Sequence, residues 1–298
     1  MIRRVGCAAA LAVALALAGC GGAPPRDAAA PTPLQTLDRS ARLAFEQEQY
    51  AQAATLYEAM LREALAADAV NDIVDARFNL ALCQTYLGAY PSALAQVALA
   101  ENERSRRGLP ADPELRLLAG TIHYRAGDLD LAQADLAGVL ETNAAATTQA
   151  RAHFVAGLVA ADRAEVSALR QHLAALAVAT EGRSNADLLE LRGRLLGIEG
   201  DVDGAMALLD QAVELRALER DYRGMARGLA AAAELAERAG RRDIAAGYWF
   251  RAGRSAAQRD EPNAGTWLER AKTLGERGAD PALVEEAEAL LKAMDPDD

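Results

Sequence analysis

One short pattern recurs along most of this chain and leaves little choice of architecture. In LALCQTYLGAYPSA, residues 80–93, a helical run stops at Gly88, an aromatic follows at Tyr90, and a small residue, Ala93, sits early in the next run. Gly127, Leu129 and Ala132 repeat this, as do Gly200, Val202 and Ala205. Gly240 and Ala245 repeat it with Arg242 in the apolar place. Tyr50 and Ala53 form an earlier copy without the glycine, and Ala164, Val166 and Leu169 a degenerate one. Positions 53, 93, 132, 169, 205 and 245 are thus spaced by 40, 39, 37, 36 and 40 residues. Glycine ends a helix because it takes the left-handed cap conformation without a Cβ clash. The apolar residue pins the turn, and the small residue lets the second helix approach the first. Two helices of this length cannot bury their apolar faces alone, so neighbouring pairs must stack.

The rest of the sequence agrees with an all-α chain. Aromatics make up only 4% of it, alanine and leucine dominate, and no β-branched run alternates with polar residues. The repeat resembles the tetratricopeptide repeat (TPR), whose usual unit is about 34 residues. The additional residues fall between units, in 107–113 and 141–147. The resemblance covers about residues 36–277 and implies a TPR-like α-solenoid of about six to seven helical hairpins, placed at 36–279. The stretch 248–274 reads as a late helix pair, in which Ala264, Leu268 and Ala271 echo the second-helix positions only 19 residues after Ala245. Asp280 and Pro281 supply an N-cap and a first-turn proline for a capping helix at 280–294 with an apolar stripe of Leu283, Ala287, Leu290 and Met294, leaving 295–298 as a tail.

The N-terminus has a different character. Arg3 and Arg4 precede an uncharged run from Cys7 to Leu17. Those residues span roughly 16 Å as a helix, against the ~30 Å core of a bilayer, so the run is too short to cross and reads as a secretory signal. Leu17-Ala18-Gly19-Cys20 resembles the lipobox of bacterial lipoprotein signal peptides. That resemblance implies removal of residues 1–19 and a diacylglyceryl group on Cys20. It also implies, from Gly21, an outer-membrane destination facing the periplasm. Residues 20–35, rich in Gly, Pro and Ala, are expected to be a lipidated Cys followed by a flexible tether.

Charge and composition exclude several function classes. Net charge is −11, and loss of residues 1–19 takes two arginines and no acid, leaving −13. Such a chain does not suit nucleic acid or a polybasic grip on anionic lipid; membrane attachment rests on the lipid anchor. Cys83 would be the only cysteine besides the lipidated one, set in an apolar helical run, so a buried structural thiol is expected. His123, His153 and His172 form no metal-ligand spacing, and no nucleophile turn or phosphate-binding loop occurs. No enzymatic activity, metal or cofactor is expected. The run Glu103-Arg104-Ser105-Arg106-Arg107 reads as a helix C-terminus whose cations complement the helix dipole.

In TPR arrays the first helices of successive units line a concave groove. The resemblance therefore implies a groove with Phe78, Asn79, Leu82 and Tyr86, then Thr121, Tyr124 and Arg125, then Phe154 and Leu158. Lys272 and Lys292 are the only lysines, so a lysine clamp for a partner's C-terminal carboxylate is not expected. An extended segment or a helix remains open as occupant. The expected function is a lipid-anchored envelope scaffold that holds protein partners of the cell envelope, in assembly of an outer-membrane, pilus or secretion, or polysaccharide-export machine. The alternative is a non-catalytic regulator of a cell-wall synthase or hydrolase.

Overall fold

The computed structural model describes residues 32–180 and 185–294. The signal segment, Cys20, most of the tether and the 295–298 tail lie outside these residues. Fourteen helices and no strand occur among the described residues. They run α1 Pro33–Glu46, α2 Tyr50–Ala66, α3 Val70–Tyr86, α4 Tyr90–Arg106, α5 Pro113–Ala126, α6 Leu129–Leu140, α7 Ala146–Asp162, α8 Val166–Ala179, α9 Ala186–Glu199, α10 Val202–Leu218, α11 Tyr222–Arg238, α12 Arg242–Ala257, α13 Ala264–Gly278 and α14 Pro281–Met294. Each packs on its chain neighbours, and α5, α7 and α9 also touch one another in series. This is a solenoid of seven helical hairpins. None of these helices is long and apolar enough to cross a membrane.

The second-helix repeat positions do what their spacing requires. Ala53, Ala93, Ala132, Leu169, Ala205 and Ala245 are each fully buried, as are Ala264, Leu268 and Ala271 in α13. The core is a chain of linked clusters rather than one centre: α1–α3 share one, α3–α5 the next, α5–α9 a third, and α10–α14 the last. Cys83 is fully buried, and burial pushes its thiol up to about 12, so it stays protonated and unreactive. In the capping helix, Asp280 accepts a bond from the Leu283 N–H at 3.1 Å. Ala287 is buried, and Leu283 and Leu290 pack on the last cluster, while Met294 is 40% exposed.

Two sequence expectations need correction. The tether is expected at 20–35, but α1 begins at Pro33. Thr32 Oγ1 accepts from the Gln35 N–H, and Gln35 Oε1 accepts from the Thr32 N–H, closing a capping box. The late helix pair at 248–274 is also divided differently. Residues 248–257 are the end of α12, and only α13 begins a new hairpin.

The glycine-free repeats carry backbone strain. Gly88 and Gly127 hold φ of 75° and 85°, whereas in the degenerate fourth copy Ala164 holds φ 55°. A side chain in the left-handed region costs about 1–2 kcal/mol. Ala164→Gly is accordingly expected to raise stability by about 1 kcal/mol in urea unfolding, after the entropy cost of glycine; an unchanged or lower midpoint would contradict this.

Candidate functional site

The hairpins coil far enough for the last ones to return to the first. Arg223, at the start of α11, lies over the stacked rings of Tyr50 (start of α2) and Tyr86 (end of α3), 4.7 Å from each centroid. Phe45 meets Tyr50 edge-on at 5.2 Å. Arg259, after α12, stands 3.8 Å from Glu48, and a Cβ on Gly88 would come within 2.6 Å of Pro262. Such a cation over desolvated aromatic faces is worth about 0.5–2 kcal/mol. Two elements of the C-terminal half, the start of α11 and the α12–α13 connection, thus touch the first two hairpins.

This return encloses an inner cleft. One cavity of about 530 Å³ is walled by Leu117, Thr121, Tyr124 and Arg125 of α5, Phe154, Leu158 and Asp162 of α7, Arg223 and Arg227 of α11, and Trp267 of α13. It adjoins a second space of about 780 Å³ that shares Tyr124, Asp162, Arg227 and Trp267 and adds Arg194, Glu234 and Arg238. Apolar and charged side chains thus share the wall of the cleft.

The expected groove residues divide into two sets. Thr121, Tyr124, Arg125, Phe154 and Leu158 come together around the cavity. Tyr86 stands beside them, with the Arg125 guanidinium over its ring at 5.2 Å. Phe78, Asn79 and Leu82 do not line it. Phe78 and Leu82 pack on the α3–α5 core, and the Asn79 amide donates to the Asp75 carbonyl at 2.9 Å. Phe154 and Leu158 are themselves buried, 8% and 2% exposed, so they form the cleft's floor.

The floor rests on a charge network that sequence reading did not single out. Glu190 in α9 is fully buried. Arg227 clamps it with Nε and Nη2 at 3.0 Å each, Arg216 Nη2 donates at 2.8 Å, and Arg194 Nη2 at 3.3 Å. The outer sides of these arginines are met by Asp187 and Asp221 on Arg216 and Asp162 on Arg194. Arg216 and Arg227 also lie over the Phe154 ring at 5.6 and 5.2 Å. Burial works to raise the Glu190 carboxyl, but Arg227, Arg194 and Arg216 outweigh it and hold it down at about 2. The one sequence signal is Arg223-Gly224-Met225-Ala226-Arg227-Gly228, where two arginines four apart stand beside glycines on a single helix. A Cβ on Gly224 would meet Asp221 Oδ2 and Arg216 Nη1, so a side chain there would push this pair of the network aside.

Other sequence candidates have structural roles. Arg104, Arg106 and Arg107 are engaged by the Pro110 carbonyl, Glu103 and Asp68. His123 Nδ1 pairs with Asp135 at 2.8 Å. His153 and His172, on facing helices α7 and α8, bring their Nδ1 atoms to 3.2 Å. No group of three or more His, Cys, Asp or Glu converges as a metal site among the described residues. In the histidine pair one ring must donate and the other accept, so double protonation breaks the bond. Burial lowers both pKa values, and His153 lowers that of His172 further. The pair therefore contributes stability above the ordinary value of 6.5 that is lost as pH falls below it. Urea midpoints are expected to drop between pH 7.5 and 5.5, and less steeply in His172→Gln; identical slopes would contradict this.

No protein-family model matches the sequence, and no curated protein matches it. Solved structures do. The chain is similar to a tetratricopeptide repeat protein from Parabacteroides merdae, at 16% identity over 88% of this chain and 98% of that one, with a TM-score of 0.51. It is similar to a Rap protein complexed with competence and sporulation factor, at 12% identity over 88% of this chain and 76% of that one, with a TM-score of 0.61. Helix order, buried repeat positions and these likenesses lead to one conclusion: the chain folds as a TPR-like helical-repeat solenoid.

Proposed function

We propose that this chain is a lipid-anchored envelope scaffold that holds a segment of a protein partner in its inner cleft. The observation that carries the reading is the cleft itself, a concave space of aromatic and arginine side chains drawn from α5, α7, α11 and α13. Tyr and Arg are favoured anchors at protein interfaces because they bury large area with few rotors and directed donors. The Rap protein of similar fold is known with another factor bound, in keeping with a binding role. The signal-like run, Cys20 and the Gly/Pro-rich stretch behind it support tethering at a membrane, with the outer membrane's periplasmic face as the proposed place. Two acyl chains or more suffice for stable anchoring. In that setting the scaffold serves assembly of an outer-membrane, pilus or secretion, or polysaccharide-export machine, without chemistry of its own.

A photoreactive residue at Tyr124, introduced in the native host, tests the reading. Expected is a dominant crosslinked envelope protein, lost when Tyr86→Ala and Phe154→Ala are added. Crosslinks only to solvent-exposed bystanders, or unchanged by those substitutions, would reject the cleft. Intact mass of the membrane form should show a diacylglyceryl group on Cys20, and an unmodified full-length mass would reject the anchor.

A further inference from the structure

The cleft has an imbalance of charge that the fold does not use. Four arginines line the cavity. Arg227 is clamped on Glu190 and Arg151 is paired with Glu114 at 3.0 Å. The Arg125 guanidinium makes no hydrogen bond or ion pair among the described residues; its one partner there is the Tyr86 ring. Arg223 is 10% exposed, and its Nε and Nη2 are buried with no hydrogen-bond partner. Its single ionic contact among the described residues, Glu261 at 3.4 Å, is itself shared with Arg259. Both guanidiniums lie against the Tyr86 ring, and both line the same cavity. Burial, with Arg227 and Arg223 nearby, lowers the Arg125 pKa, the mark of a cation short of anions. An unmet buried donor keeps its desolvation penalty, which an incoming acceptor would relieve.

We propose that Arg125 and Arg223 form a carboxylate-binding site, and that the occupant is an acidic residue or chain terminus on an otherwise apolar segment. The inference rests on the reading that the cleft holds a protein segment, and it names the chemistry of that segment. A planar carboxylate suits guanidinium donors, and charge-assisted bonds in a water-poor cavity are the strong ones. Leu117, Leu158 and Trp267 provide the apolar wall for the flanking residues. The net charge of −11 does not forbid this, because low-dielectric walls focus the field of local cations within a cleft.

Three probe peptides decide it, titrated by fluorescence anisotropy against the full-length chain in detergent. They are acetyl-Ala-Phe-Leu-Glu-Leu-Ala-amide, the same peptide with Gln for Glu, and the Gln peptide with a free C-terminal carboxylate. The Glu peptide or the free-acid peptide is expected to bind at least tenfold tighter than the neutral one, and which of the two does so assigns the carboxylate to a side chain or a terminus. Arg125→Met should abolish that preference and Arg125→Lys should keep most of it. Since the Arg125 guanidinium makes no hydrogen bond or ion pair within the fold, both variants should retain the wild-type helical circular dichroism. Equal binding of all three peptides, binding of none, or a preference that survives Arg125→Met would overturn the site. The Tyr124 crosslinking experiment uses no such peptide, so it judges the cleft reading separately.

Discussion

Replacing Glu190 by Gln is expected to lower stability by about 3–5 kcal/mol, read as a shift of the urea unfolding midpoint. The change removes one carboxylate and leaves Arg194, Arg216 and Arg227 facing each other at its place, with all four of its bonds altered. Removing one partner of a buried ion pair costs this much because the remaining charge keeps its desolvation penalty and loses its compensation. Asp162, Asp187 and Asp221 still hold the outer donors, so the solenoid should weaken rather than fail to form. The pH profile offers a second readout. The Glu190 carboxyl is held at about 2, below its ordinary 4.5. Its contribution is therefore fully present above 4.5 and disappears as pH falls toward 2. The Gln variant should lack that part of the acid transition. A loss below about 1 kcal/mol would mean that the network is solvated and carries little of the fold.

A second large effect is expected at Gly253, in α12. A Cβ there would lie 2.7 Å from Leu268 Cγ and 3.0 Å from the Leu268 backbone nitrogen, so α13 itself would have to move. Gly253→Val should cost about 1–3 kcal/mol by overpacking, despite the better helix propensity of valine. Gly247 on the same helix is the control, because a Cβ there meets nothing within 4 Å. Gly247→Ala should stabilise by about 0.5–1 kcal/mol. Opposite signs at two glycines six residues apart are what close helix approach requires. Equal effects at both would show that α12 and α13 are not in contact through Gly253.

These two sites mark the boundary between what the sequence states and what it withholds. The repeat was legible because its causes are local. A glycine cap, an apolar pin and a small residue act within a few positions, and positions 53, 93, 132, 205 and 245, all alanine, are fully buried, as is Leu169 of the degenerate copy. The α1 start was also written locally, as Thr32-Pro33-Leu34-Gln35, but the surrounding Pro- and Ala-rich composition masked the capping box. The curl of the array was not legible. It accumulates from small rotations between successive hairpins, and no single residue carries it. For that reason Thr121, Tyr124, Arg125, Phe154 and Leu158 could be placed on one wall from their first-helix positions. Arg223, Arg227 and Trp267, which complete the cleft from α11 and α13, could not. Glu190 was hidden for a further reason: a lone carboxylate on a helix reads as solvated until its three arginine partners, on its own and two other helices, are brought to it.

The return of the last hairpins onto the first makes the groove an enclosed cleft, and one distance tests it. Gln47, after α1, and Gln258, after α12, are both exposed and face the same space between the two ends of the array. With Cys7 and Cys20 changed to serine and Cys83 left buried, Gln47→Cys and Gln258→Cys can be treated with a short bismaleimide and the products mapped by peptide mass spectrometry. A closed superhelix predicts an intramolecular link between the two positions in most molecules, at a yield independent of protein concentration. Separate single adducts on the two introduced thiols, with no link between them, would mean an open solenoid whose ends stand apart, and the enclosed cleft would not exist.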